Sequence, residues 1–154
     1  MEGCIACDLI SGAADLPGGR IHETSHWVIE HCVGPLGVGS LIVKPFRHVE
    51  HVWDLTDRET QELGPLLKLA TETIRRVVNP DQVYVCLWSH SGWNPVHIHF
   101  VLQPAWNSWK YQYAHPGTTV QEAMFEANDA PQRHEVEAFA NSARTIMRGF
   151  SSRS

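Results

Sequence analysis

Basic side chains are in short supply: 12 Lys and Arg against 17 Asp and Glu leave the 154-residue chain with a formal charge of −5. Phosphate backbones are held by clustered Lys and Arg, so this balance argues against a general nucleic-acid binder. A small anion can still be held locally, by Lys44, Arg47 and nearby histidines. Long apolar runs are lacking too. The most apolar glycine-containing stretch, Val33 to Val43, is far too short to cross a bilayer and ends at Lys44. Met1-Glu2-Gly3-Cys4 has neither the basic start nor the apolar core of a secretory signal. The expectation is a cytoplasmic protein with no membrane partner. Cysteines at 4, 7, 32 and 86 do not look like a disulfide framework in a chain of this size, and the close pair suggests metal or redox use. There is no internal repeat, heptad or low-complexity tract.

What remains suits one compact domain over residues 1–154, since 43% hydrophobic content at this length supports a sizeable core. Short strands are expected at Arg20 to Glu23, His26 to Cys32 and Ser40 to Pro45, the last two joined by the flexible Gly34-Pro35-Leu36-Gly37-Val38-Gly39. Thr56 and Glu59 stand at capping-box spacing. Leu63, Leu66, Leu67, Ala70, Ile74 and Val77 then recur at helical intervals up to Asn79-Pro80. Gly64-Pro65 is expected to kink or split that helix. Gln82 to Trp88 alternates as a strand, Ser89 to Pro95 forms a loop, and a second core strand follows. After Pro104 comes a loop rich in Trp, Tyr, Pro and Gly, then amphipathic helices at Thr119 to Ala127 and Gln132 to Arg148. The class is α+β, an antiparallel sheet with a long helix and a C-terminal helical extension.

The chemistry-bearing segment is Val96-His97-Ile98-His99-Phe100-Val101-Leu102-Gln103-Pro104. On a strand, residues two apart share a face, so both imidazoles would point the same way. Imidazole titrates nearest neutrality, which fits a metal ligand, a proton carrier or a neutral nucleophile. A histidine-containing core strand is the plainer alternative. Cys4-Ile5-Ala6-Cys7 is open in the same way between a metal pair, a redox pair and two idle thiols.

Taken together, Cys4-x-x-Cys7, Gly39 to His48 and Val96 to Pro104 resemble the histidine triad family of nucleotide hydrolases and transferases, over roughly residues 1–104. Residues 105–154 resemble only C-terminal extensions of related proteins. The family pattern has three alternating histidines, and this chain has two. In the family a proline commonly follows the third histidine by three residues and a glycine precedes the central one by seven. Pro104 and Gly92 meet both markers if His97 is the first histidine, His99 the central nucleophile and Val101 the replaced third. A shifted register would make Pro95 the lost first histidine and His97 the nucleophile. The resemblance further implies a structural zinc held by Cys4, Cys7, His48 (in Pro45-Phe46-Arg47-His48) and His97, which leaves His99 free. With four protein ligands no position stays open for water.

By the same resemblance the substrate is a small nucleotide conjugate, attacked at its α-phosphate by neutral His99 to give a nucleotidyl-histidine, and the assembly is a homodimer. Activity is then expected to fall on acidification, because the attacking imidazole must be unprotonated. Candidate phosphate contacts are Asn94, Ser91, Gly92 and Gln103, the last sharing a strand face with Val101. Glu30 and Cys32 lie near the place where relatives carry a ribose-binding acid. Trp27 and Ile21 suit either a base pocket or the core, and Trp106 and Trp109 suit a pocket cover, a subunit contact or a satellite cluster. Three functions stay open: a nucleotidyl hydrolase, a nucleotidyltransferase or phosphorylase using the same histidine, and a zinc-stabilised nucleotide binder with little turnover.

Overall fold

The computed structural model describes residues 2–88, 96–113 and 117–151. Five strands, β1 (Arg20–Glu23), β2 (Trp27–His31), β3 (Leu41–Pro45), β4 (Gln82–Leu87) and β5 (Phe100–Ala105), form one antiparallel sheet in the order β1-β2-β3-β5-β4. The helices are α1 (Ile5–Ser11), α2 (Asp57–Val78), α3 (Thr118–Ala127) and α4 (Arg133–Ser151). This is the α+β arrangement expected. Among the described residues no helix is long and apolar enough to cross a membrane.

Strand alternation sorts the side chains into two layers. On one face Trp27, Ile29, Leu41, Val43 and Leu102 pack against Leu66, Ala70 and Ile74 of α2 and Phe139, Ala140, Ala143 and Met147 of α4. Each of the Val, Leu, Ile, Phe and Met side chains among them contributes roughly 1.5–3 kcal/mol by leaving water. Trp27 and Ile21 therefore belong to this core, where the Trp27 indole N–H donates to the Glu59 carbonyl at 2.9 Å. On the opposite face Val101 joins Leu36 and, from α3, Val120 and Met124, with Ile42, Cys32, Trp109 and Tyr113 packed around them. Trp106 and Trp109 lie 5.1 Å apart at the edge of this satellite cluster.

α2 starts on the capping box that Thr56 and Glu59 promise, each side chain bonding the other's backbone N–H. It runs continuously through Pro65, so Gly64-Pro65 does not split it. Gly64 and Pro65 both lie on its solvent side, where water can serve the carbonyl that loses its N–H donor. The helix ends at Asn79, in the left-handed region at φ 46°.

The second departure is at the histidine segment. Residues 96–99 are not part of the sheet, and β5 begins only at Phe100. There the Ile98 N–H donates to the Val49 carbonyl at 2.8 Å, a tertiary contact that ties the segment to the chain leaving β3.

Candidate functional site

Cys4 sits at the N-cap of α1 and Cys7 is its third residue, so one helical turn presents both thiols together. His48 comes from the segment after β3, and His97 from the segment before β5. The four ligand atoms all lie within 4.8 Å of one another. Cys4 Sγ is 3.7 Å from His97 Nδ1, and Cys7 Sγ is 3.6 Å from His97 Nδ1 and 3.5 Å from His48 Nδ1. A tetrahedral zinc with ordinary Zn–S and Zn–N bonds separates its sulfur and nitrogen ligands by about 3.6 Å. The donor set fits that ion in chemistry and in spacing.

The surroundings suit neutral imidazole ligands. His97 Nε2 lies 3.0 Å from the Pro45 carbonyl, which only accepts, so the proton sits on Nε2 and Nδ1 turns its lone pair to the thiols. Burial holds the His97 pKa down at about 4, opposed by the Pro45 bond and assisted by the charges of His48, Lys44 and His99. Burial also raises the Cys7 thiol, with Cys4 adding to it. A cation among the four atoms would reverse that preference, because metal ligation deprotonates thiols. His48 Nε2 is buried without a hydrogen bond among the described residues, the Glu50 carboxylate standing 3.7 Å away.

His99 is placed differently. It is not part of the Cys/His cluster, and its Nδ1 donates to the His97 carbonyl at 3.0 Å. In that tautomer Nε2 carries the lone pair. His99 immediately precedes β5, outside the sheet and two residues before Val101.

Gln103 is on the Val101 face, as the alternation predicts, yet it is fully buried and its amide is engaged. Nε2 donates to the Leu36 carbonyl at 3.3 Å, and Oε1 accepts from Gln121 of α3 at 2.9 Å. It can reach a bound phosphate only by giving up those bonds. Ser91, Gly92 and Asn94 lie outside the described residues.

Two features escaped the sequence reading. One is α1, whose seven residues are too short to show a helical period. The other is an ion pair: the Lys44 ammonium donates to Glu30 Oε1, with each side chain no more than 2% exposed. Burial raises the Glu30 pKa against the pull of Lys44, Arg20 and His99. A Glu and a Lys on neighbouring strands were the signal, but each alone reads differently, Glu30 as a candidate ribose acid and Lys44 as part of a local anion patch. Cys32 stands at the end of β2 and its sulfur accepts from the Gly34 N–H at 3.3 Å.

No protein-family model matches the chain. Among curated proteins, Protein hit of Bacillus subtilis (strain 168) is 27% identical over 79 residues, which are 51% of this chain and 53% of that protein, so the match spans about half of its length. Solved structures extend the likeness over nearly all of the chain. A hypothetical histidine triad nucleotide-binding protein from Sulfolobus tokodaii strain7 superposes with a TM-score of 0.72 at 16% identity, covering 96% of this chain and 94% of its own. A Zn-bound histidine triad family protein from Mycobacterium smegmatis gives 0.70 at 17% identity, covering 99% and 98%. A HIT family member from Bacillus subtilis gives 0.62 at 18%, covering 94% and 96%. The fold of this chain is the histidine triad fold.

Proposed function

We propose that the protein is a histidine triad nucleotide hydrolase whose nucleophile is His99 and whose structural zinc is held by Cys4, Cys7, His48 and His97. The observation that carries this reading is the division of labour between two histidines two residues apart. His97 faces the thiols, whereas His99 has one nitrogen fixed by a carbonyl and the other without a hydrogen-bond partner among the described residues. When bound, the zinc ties α1 and the segment after β3 to the start of β5, and so fixes the backbone carbonyl that orients His99. The Zn-bound histidine triad protein from Mycobacterium smegmatis, which shares the fold, supports a zinc site here.

In the first step the Nε2 lone pair of His99 forms an N–P bond to the α-phosphorus of a nucleotide conjugate, as the bond to the leaving group breaks. The leaving group departs with the electron pair and takes a proton from solvent. Water then forms an O–P bond, the N–P bond breaks back to Nε2, and the water's proton returns to solvent with the mononucleotide released. Charge grows on the phosphoryl oxygens in both steps, so donors aimed there matter most. Asn94, Ser91 and the Gly92 backbone belong to this reading as phosphate contacts. The protein is read as a cytoplasmic homodimer, and β4, an edge strand with Val85 and the following Trp88 exposed, offers a surface for a second copy.

A second reading, a zinc-stabilised nucleotide binder with little turnover, is favoured by one specific observation. Val101 has no proton to give, and Gln103 beside it is committed to α3. The test offers nucleoside phosphoramidates, dinucleoside polyphosphates and nucleotide sugars, follows mononucleotide release, and weighs the intact protein for an adduct. An adduct lost in His99→Asn and retained in His97→Asn is expected. Tight binding with neither adduct nor turnover supports the binder. Nucleotide sugars that turn over only with an added phosphate or sugar-phosphate acceptor support the transferase. No binding at all removes every one of these readings.

A further inference from the structure

Lys44 and Glu30 lie on the sheet face opposite α2, the face that also carries Ile42 and Val101. Leu41 and Val43 pack on the α2 side, so Ile42 and Lys44 point the other way; in β2 Trp27 and Ile29 likewise leave Val28 and Glu30 on that second face. β3 and β5 pair Ile42 with Val101 and Val43 with Phe100. That pairing ends at Phe100, so Lys44, the residue after Val43, stands at the end of β3 where the segment carrying His99 leaves the sheet. The charges of this group are mutually felt: His99 acts on the Glu30 carboxyl, and Lys44 acts on His97.

Among the described residues the pair is incompletely satisfied. An ammonium has three N–H donors, and among the described residues Glu30 Oε1 accepts one of them. Glu30 Oε2 is buried with no hydrogen-bond partner among the described residues. A buried ion pair with spare donors and an orphan acceptor is a poor way to stabilise a sheet, since packed hydrocarbon does as well or better. Beside a nucleophile that must meet an anion, the same pair has a use. A desolvated cation is at its strongest where negative charge grows on phosphoryl oxygens. Val101, two residues after His99, supplies no such charge.

We propose that Lys44 carries the positive charge for the reacting phosphate in place of a third histidine, with Glu30 as the positioning residue that aims its ammonium. This rests on the reading of His99 as the nucleophile at a nucleotide phosphate. The ligand class is a phosphate monoester or diester of a nucleoside, held through its phosphate oxygens by Lys44.

The test compares binding of the four ribonucleoside monophosphates with binding of the matching nucleosides by calorimetry. It uses the unaltered protein and the double variant Glu30→Gln/Lys44→Met. The double change removes both charges at once, leaves no unpaired buried ion, and is checked for folding by zinc content and far-ultraviolet circular dichroism. Expected is a loss of about tenfold or more for the monophosphates, with nucleoside affinity unchanged. A parallel measurement needs no variant: in unaltered protein carrying ¹³C-lysine, the Lys44 Cε signal shifts on adding a monophosphate and stays put on adding its nucleoside. Equal loss for nucleotide and nucleoside, equal binding by variant and parent, or a Lys44 signal indifferent to the phosphate would each overturn the proposal while leaving His99 its role. An unaltered protein that binds neither ligand would overturn this proposal together with the reading it rests on.

Discussion

The ring of His97 is joined to the carbonyl of Pro45, 52 positions earlier in the chain, by a 3.0 Å hydrogen bond from Nε2. That bond leaves Nδ1 facing Cys4 and Cys7, while the carbonyl of the same His97 receives Nδ1–H of His99. Ring and backbone of one residue thus orient two sites. Disturbing the cluster should therefore be felt at His99.

Metal content gives the first prediction. Purified protein is expected to hold one zinc per chain by elemental analysis, and Cys4→Ser to hold none. Loss of the ion should lower the melting temperature by about 10 °C or more, because a structural site joining three distant segments contributes several kcal/mol to folding. Chelation of the parent protein should reproduce the shift. Metal-free protein with the parent's melting temperature would remove the zinc site from the account.

The Val101 position gives a second. Val101 is buried against Leu36, Val120 and Met124 under α3, so its surroundings are hydrocarbon. Val101→His restores the pattern of three alternating histidines on paper, but it places a bulky polar ring in an apolar cluster. The expected cost is about 2 kcal/mol in urea unfolding, with no gain in turnover. Unchanged stability with faster turnover would mean that α3 yields to admit the ring.

Most of this was legible from residue types and spacings. The β-branched and aromatic run His26 to Cys32, the apolar run Ser40 to Pro45, the Thr56 and Glu59 cap, and the helical spacing to Val77 give elements whose ends fall within a residue or two of those observed. The metal cluster was readable because four ligands of suitable type are spaced as a known pattern places them, and all four converge. Local reasoning failed where tertiary contacts decide. Pro65 is tolerated because it faces water, residues 96–99 leave the sheet because Val49 captures Ile98, and Gln103 turns to Gln121 of α3. None of these partners is near in sequence. The Glu30–Lys44 pair was hidden for the same reason, since strand neighbours 14 positions apart declare themselves only once the register is known.

Acid stability should report on Glu59. Its buried carboxylate accepts from Arg47 Nε and Nη2 at 3.2 and 2.8 Å and caps α2 through the Thr56 N–H at 2.7 Å. The Arg47 bonds, against the cost of burial, hold its pKa down at about 2. An unfolded glutamate titrates near ~4.3, so the folded state prefers the charged form. The stability this supplies is fully present above about pH 5 and is lost as pH falls toward 2. With Arg47 half exposed, about 2 kcal/mol is the discounted magnitude. Urea unfolding of the parent should weaken steadily over that range, and Glu59→Gln should flatten the part of the slope due to this group. A variant whose pH dependence matches the parent's would assign acid sensitivity to other carboxylates.

The amide of Gln103 should govern whether α3 stays on the sheet. Gln103 is bound on one side to the Leu36 carbonyl and on the other to Gln121, whose own carbonyl oxygen accepts from the Trp88 indole at 2.9 Å. Gln103→Leu removes the acceptor for Gln121 and the donor for Leu36, leaving polar groups with neither a partner nor ready access to water. Such a loss typically costs 1–3 kcal/mol, roughly, per stranded group. Because the sheet's other face is packed independently against α2 and α4, the loss should be local: amides of α3 should exchange hydrogen at least about tenfold faster, while those of α2 keep their protection. Faster exchange in α2 as well would show that the two layers unfold as one unit. An unchanged α3 would mean that Val120 and Met124 alone hold the helix down.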